Sequence, residues 1–189
     1  MKNPIQLGAV AGVVYLISLL PELTLEVAAS ELGLDWKTHT LYILVHLVCM
    51  LSAILFYRAF MLMGTQYYNN SLYLGALMTL VTIIIYHGLK IVYASAPEDV
   101  HKIMGLGYLL VIGGSALVFG YGLMQLAGKF GSLAKMTGIL EIITGITCVS
   151  VVLALFALIL TVPVIVLEIM LLLRFKPEYL GRVNVEQPG

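Results

Sequence analysis

The segment from Ser71 to Ala94, SLYLGALMTLVTIIIYHGLKIVYA, is the feature that most constrains the fold of this chain. As a helix it is long enough to cross the roughly 30 Å hydrocarbon core of a bilayer. It nevertheless carries Tyr86, His87 and Lys90 in its last third. An ionisable residue at the bilayer centre costs roughly 2.5 to 3.5 kcal/mol on insertion scales, so such residues usually face a protein interior or a water-filled cavity. The segment therefore predicts a membrane-spanning helix with a polar site inside the protein.

Apolar segments of this kind fill most of the chain. Of its 189 residues, 61% are hydrophobic and 11% are charged, whereas soluble domains carry about a quarter charged residues. The apolar runs are continuous rather than alternating, so helices are favoured over a closed β-barrel. Ten basic and ten acidic residues cancel, which gives no signature of nucleic-acid binding. The composition predicts an all-α, polytopic transmembrane helix bundle in the cell membrane, with the lipid bilayer as a partner and no nucleic acid.

Capping and turn residues divide this single transmembrane domain into six predicted helices. The last apolar run, from Met136 to Phe175, would be about 60 Å long as one helix, so it must fold back on itself. Thr161 and Pro163 favour a turn at the late end of residues 155–163, and Pro21 predicts a bend in the first helix. The predicted helices span about residues 4–29, 38–63, 71–94, 97–127, 133–156 and 161–175, and a short tail follows at 176–189.

Basic residues predict how the bundle is oriented. One side of the membrane would carry Lys2, Arg58, Lys129, Lys135, Arg174, Lys176 and Arg182. By the positive-inside rule, this excess predicts that both termini and the tail are cytoplasmic.

A first polar cluster is predicted in the outer leaflet. Counting back along the helices from their connecting turns places Glu26, His46 and His87 at one depth, with Lys90 one turn above them and Tyr86 beside His87. One interpretation is a buried ion pair with hydrogen bonds that holds the first three helices together. Another is a ligand or ion site that opens outward.

Cofactor chemistry at the two histidines is a third alternative. Axial ligation of a b-type haem would need His46 and His87 to face one slot wide enough for the macrocycle. A zinc site would need a third ligand from Glu22 or Glu26, and no recognised spacing supports one. No cofactor or metal is therefore predicted, and haem b is kept as an alternative.

A second cluster is predicted in the inner leaflet. Glu141 and Glu168 each lie six residues inside a cation, Lys135 and Arg174 respectively, and hence about 9 Å into the core. Two unpaired carboxylates would be costly there, which predicts protonation, a shared proton or a bond to Arg58. Contact between helices is the predicted role, with a proton-coupled role as the alternative.

Small and polar residues elsewhere predict packing. Cys49 and Cys148 lie in apolar spans and are expected to pack as small residues, whereas His39 and His101 are expected to be solvated loop residues. Glycines allow helices to approach closely, either inside the protein or against a partner protein. These glycines are Gly8 and Gly12 in the first helix, and Gly107, Gly113, Gly114 and Gly120 in the fourth.

One part of the sequence resembles a known family. The run Lys135-Met136-Thr137-Gly138-Ile139-Leu140, followed by Val162-Pro163 and an inward Glu168, is similar to six-helix bacterial integral membrane proteins classed as a domain of unknown function. The resemblance covers about the last third of the chain. It implies six helices and no assigned activity.

The sequence predicts a non-enzymatic protein. It shows no nucleophile paired with a base, no glycine-rich phosphate loop and no HExxH motif. The predicted role is a subunit or scaffold of a larger membrane complex, with other membrane subunits or a second copy as partners. The alternative is a small transporter or ion-handling bundle that uses Glu26, His46, His87 and Lys90, and a b-type haem electron carrier is third.

Overall fold

The computed structural model describes residues 3–32, 36–150 and 153–175, and these residues form helices joined by short turns. Six of the helices are long and apolar enough to cross a membrane, which confirms the predicted all-α transmembrane bundle. The tail at 176–189 lies outside the described residues. The helices are α1 (Pro4–Leu32), α2 (Trp36–Gln66), α3 (Asn70–Val92), α4 (Glu98–Gln125), the single-turn α5 (Ala127–Phe130), α6 (Ser132–Val149) and α7 (Ala154–Arg174).

The turn between the last two spans lies earlier than predicted. Helix α6 ends at Val149 and α7 begins at Ala154, so the turn precedes the predicted region at 155–163. At 1.5 Å per residue the two helices are about 27 and 32 Å long, close to the thickness of the membrane core. The predicted helix at 161–175 would have been only about 22 Å long. Pro163 lies inside α7, since membrane bundles tolerate proline where neighbouring groups satisfy the freed backbone.

The proline of α1 is also inside its helix. Helix α1 runs through Pro21 to Leu32 without a break. The hydroxyl of Thr24 donates to the carbonyl oxygens of Leu20 and Pro21, at 3.1 and 3.0 Å. The bend at Pro21 stays a prediction.

The six spanning helices form a closed ring. Each packs against its neighbour along the chain, and α7 returns to α1. Because six spans alternate in direction, the start of α1 and the end of α7 lie at the same end of the bundle, here named the proximal end. The distal end is the one at which α1, α3 and α6 finish. That the proximal end faces the cytoplasm stays a prediction.

Glycines bring α4 and α6 into close contact. Gly113 faces Gly145 and Gly120 faces Gly138, so closely that a Cβ added to Gly113 would lie 2.7 Å from the carbonyl oxygen of Gly145. Gly113 and Gly120 form a first row of glycines on α4, which faces α6. A second row, which includes Gly107 and Gly114, has nothing within 4 Å of an added Cβ. The first row therefore packs inside the bundle, as Gly8 and Gly12 of α1 also do against α2.

An aromatic core fills the proximal half of the bundle. Phe56, Phe60 and Phe119 are fully buried. The ring centroids of Phe60 and Phe119 are 5.1 Å apart at an interplanar angle of 86°, an edge-to-face arrangement that aromatic pairs favour. Polar side chains are concentrated toward the distal half, where they form the site described next.

Candidate functional site

An ion pair joins α1 to α3 at membrane depth. The Nζ atom of Lys90, a residue only 2% exposed, lies 2.6 Å from Oε2 of Glu26. The hydroxyl of Tyr42 donates to the other carboxylate oxygen, Oε1, at 3.2 Å. The structure thus brings together two predicted site residues from distant parts of the sequence, and gives each charge a partner.

The two predicted histidines meet directly beside this ion pair. The Nδ1 atoms of His46 and His87 are 3.0 Å apart, and both side chains are buried. Oε1 of Glu22 lies 3.6 Å from each of these nitrogens. The second ring nitrogen of His46, Nε2, is 3.6 Å from Oε1 of Glu26. Three helices, α1, α2 and α3, therefore contribute to one compact group of carboxylates and imidazoles.

The histidine contact bears on the haem alternative. Bis-imidazole ligation would place the macrocycle between the two rings. The 3.0 Å separation of Nδ1 of His46 from Nδ1 of His87 leaves no such slot. The geometry gives the haem alternative no support.

Aromatic contacts position Tyr86 at the edge of the site. Its ring stacks on that of Tyr108, with the centroids 4.1 Å apart, and Nζ of Lys90 lies 5.5 Å from the Tyr86 centroid. His101 is not the solvated loop residue that the sequence predicts. It lies in the first turn of α4, half-buried, with Nδ1 3.5 Å from Nζ of Lys90, because α4 packs against α3.

Two residues next to Glu22 were not predicted as site residues. Cys49 is fully buried, and its Sγ lies 3.2 Å from Oε2 of Glu22 and 3.1 Å from the hydroxyl oxygen of Ser18. Cys49 is therefore more than a packing residue. A signal was present in the sequence, since Ser18, Glu22 and Glu26 are spaced by four and share one face of α1.

The second pair of predicted carboxylates lies in the interior, with no cationic partner among the residues that the structure describes. Glu168 is completely buried and Glu141 is 7% exposed. Neither carboxylate oxygen of Glu168 has a hydrogen-bond partner among the described residues. Arg58 is exposed, and no ion pair joins it to either carboxylate in the described part of the chain. The predicted bond to Arg58 is wrong, because that side chain points away from the bundle interior.

One cavity connects the two polar clusters. It has a volume of about 440 Å³ and is lined by Glu22, Glu26, Glu141 and Glu168, together with His87 and apolar and tyrosine side chains. No lysine or arginine is among its lining residues in the described part of the chain. On α1 the lining extends from Tyr15 to Glu26, about 16 Å along the helix axis. The cavity therefore extends for about 16 Å along the bundle, and the ionisable side chains that line it include four glutamates.

Comparison with known proteins adds no further assignment. No family model, curated protein or solved structure matches the chain. The resemblance to a six-helix bacterial family thus stays a prediction.

Proposed function

We propose that this protein is an ion-handling integral membrane protein that binds a small cation in its acidic cavity and moves it between the two ends of the bundle. The observation that carries the proposal is Glu168, whose carboxylate is fully buried, lines the cavity and has no hydrogen-bond partner among the described residues. This function is of the same class as the second of the three sequence-based alternatives, but it is carried by Glu168 rather than by the predicted outer-leaflet site of Glu26, His46, His87 and Lys90.

The energetics of Glu168 favour a cation as the missing partner. Holding an ionised carboxylate in a low-dielectric interior costs several kcal/mol unless a charge or hydrogen bonds compensate. No described residue supplies either one to Glu168. A cation that enters the cavity, a proton included, would neutralise the carboxylate, so the fold creates a place of high affinity for positive charge.

The other lining carboxylates extend the same property along the cavity. Within the described residues, Glu26 is the one cavity carboxylate that has a lysine or arginine partner. Glu22 contacts only imidazoles and a thiol among its recorded partners, and Glu141 and Glu168 lie deeper. Carboxylates that follow one another along the depth of a membrane protein are typical of ion and proton pathways.

The role as a subunit or scaffold of a larger complex stays a prediction, as do its protein partners. The open row of α4 glycines, which includes Gly107, is compatible with a second protein packing there. A role as a subunit or scaffold does not explain why an acidic cavity lies on the inside of the ring.

The test is cation movement in proteoliposomes that contain the purified full chain. Movement of H⁺, Na⁺ and K⁺ is followed with fluorescent indicators, for the wild type and for Glu168→Gln, which keeps the side-chain shape and removes the charge. We expect the wild type to move at least one of these cations and Glu168→Gln to do so at least about tenfold more slowly, since the cavity then lacks its deepest charge.

Glu98→Gln is the matched control, because Glu98 is an exposed glutamate that pairs with Lys102 four residues away. It should retain wild-type rates. Circular dichroism and a single symmetrical elution peak establish that each variant is folded. Absence of movement for all three cations in the wild type, or equal rates for Glu168→Gln and the wild type, would overturn the proposal.

A further inference from the structure

Three potential metal ligands converge at the distal end of the cavity. Oε1 of Glu22, Nδ1 of His46 and Nδ1 of His87 lie within 4.8 Å of one another. They come from α1, α2 and α3 respectively, so the packing of the ring, rather than a local sequence motif, brings them together. This explains why no recognised ligand spacing is present in the sequence.

The spacing of these atoms fits a common centre. Zinc binds imidazole nitrogen and carboxylate oxygen at about 2.0 to 2.1 Å in tetrahedral geometry, which places neighbouring ligand atoms about 3.4 Å apart. The observed separations are 3.0 Å between the two nitrogens and 3.6 Å from the Glu22 oxygen to each nitrogen. The 3.0 Å contact is also a hydrogen-bond distance for the two imidazoles, and the position of the Glu22 oxygen, 3.6 Å from both nitrogens, adds a third ligand atom beside the pair.

A carboxylate lies next to the second ring nitrogen of His46, as in many metal sites. Imidazoles that bind a metal usually direct their other ring nitrogen at a carboxylate. Nε2 of His46 faces Oε1 of Glu26 at 3.6 Å, and Lys90 and Tyr42 fix that carboxylate. Nε2 of His46 is also buried and has no hydrogen-bond partner among the described residues, so Glu26 is the group that faces it.

Glu22 is oriented in a similar way. Its second oxygen, Oε2, lies 3.2 Å from Sγ of Cys49, which leaves Oε1 directed at the two imidazoles. Glu22 and His87 also line the cavity. A tetrahedral ion held by three protein ligands would therefore have its fourth position open to the cavity.

We propose that Glu22, His46 and His87 bind a divalent transition-metal ion, with Zn²⁺ as the fitting member. Two imidazoles and one carboxylate suit such ions, whereas Mg²⁺ and Ca²⁺ prefer sites made of oxygen ligands. The proposal goes beyond the cation movement proposed above and depends on residues other than Glu168.

The test is metal binding to the full chain, purified without a histidine tag and stripped with EDTA. Co²⁺ is the probe, because tetrahedral Co²⁺ absorbs visible light far more strongly than the octahedral aqueous ion. We expect one Co²⁺ per chain with the strong tetrahedral spectrum, and displacement of that Co²⁺ by Zn²⁺. His46→Ala and His87→Ala should abolish the spectrum, and Glu22→Gln should weaken binding at least about tenfold.

His39→Ala is the control, since His39 lies in the same helix as His46 but outside the group of ligands. It should retain the spectrum and the affinity. Glu22→Gln preserves side-chain shape, so it tests the site if either alanine variant fails to fold. A wild type that binds no Co²⁺, a weak octahedral spectrum, or an equal loss in His39→Ala would overturn the site.

The Glu168→Gln protein separates this inference from the proposed function. It should bind Co²⁺ with the wild-type spectrum while losing cation movement. Intact cation movement in a wild type that binds no Co²⁺ would overturn the metal site alone. Normal Co²⁺ binding without any cation movement would support the metal site and overturn the proposed function.

Discussion

The two polar clusters of this bundle differ in whether their ionisable side chains have partners. At the distal end, Lys90 and Glu26 form a direct ion pair, and the hydroxyl of Tyr42 donates a hydrogen bond to the second oxygen of the Glu26 carboxylate. Nearer the proximal end, Glu168 is more deeply buried and has no partner in the described part of the chain. The first arrangement holds three helices together, whereas the second leaves a carboxyl group to which a proton or another cation that enters the cavity can bind.

A structural role and a functional role can be distinguished by the sign of the change in the free energy of unfolding when the residue is replaced. Removing one member of a buried ion pair is strongly destabilising, because the other charge stays buried alone. Removing a buried polar group that has no partner relieves a cost instead. Substitutions in the two clusters should therefore change stability in opposite directions.

The largest effect is expected for Lys90→Met, which keeps the length of the side chain and removes its charge. Glu26, whose side chain is 28% exposed, then loses its cation, and the free energy of unfolding should fall by about 2 to 3 kcal/mol, less than for a fully buried pair. The measurement is denaturation by SDS in mixed micelles. Lys102→Met is the control, because Lys102 and its partner Glu98 are each 63% exposed, and it should leave the free energy of unfolding nearly unchanged. Equal losses in the two variants would show that the buried pair is not structural.

A smaller effect of opposite sign is expected for Glu168→Leu. Replacing an unsatisfied buried carboxyl group by an apolar side chain should raise the free energy of unfolding by about 1 to 3 kcal/mol. The same denaturation assay measures it, and cation movement in proteoliposomes should be lost. Destabilisation comparable with that of Lys90→Met would mean that Glu168 has a structural partner, and the contrast between the clusters would fail.

The smallest effect is expected for Tyr42→Phe, which removes one of the bonds to Glu26. Hydrogen bonds between membrane helices average about 0.6 kcal/mol, so the free energy of unfolding should fall by about that amount. Tyr93→Phe is the control, because Tyr93 is 48% exposed, and it should leave the value unchanged. A loss as large as that of Lys90→Met would place the stabilisation in the hydroxyl rather than in the ion pair.

The sequence predicted those features that follow from helix length and depth. Apolar runs of membrane-spanning length give the six spans, and equal distances from the turns place Glu26, His46 and His87 together. The predicted position of the turn before α7 is wrong, because Thr161 and Pro163, residue types that favour turns, both lie inside α7. A comparison of helix lengths with membrane thickness would have favoured the observed turn.

The cavity and the metal ligands could not be predicted in the same way. The cavity depends on the return of α7 to α1, a contact between the two ends of the chain that no local pattern encodes. The sequence indicates Glu22 only as an alternative zinc ligand, because spacing along one helix does not reveal which residues of α2 and α3 it faces. The exposure of Arg58 likewise depends on the rotation of α2 within the ring.

The most direct measurement is chemical labelling of Glu168 itself. Dicyclohexylcarbodiimide is a hydrophobic reagent that modifies protonated carboxyl groups inside membranes, and peptide mass spectrometry locates the adduct. We expect labelling at Glu168, and slower labelling when the cation that the protein moves is present, because that cation and the reagent compete for one carboxyl group. Labelling that no cation slows, or no reaction at Glu168, would contradict the account of this residue as the cation-binding group of the cavity.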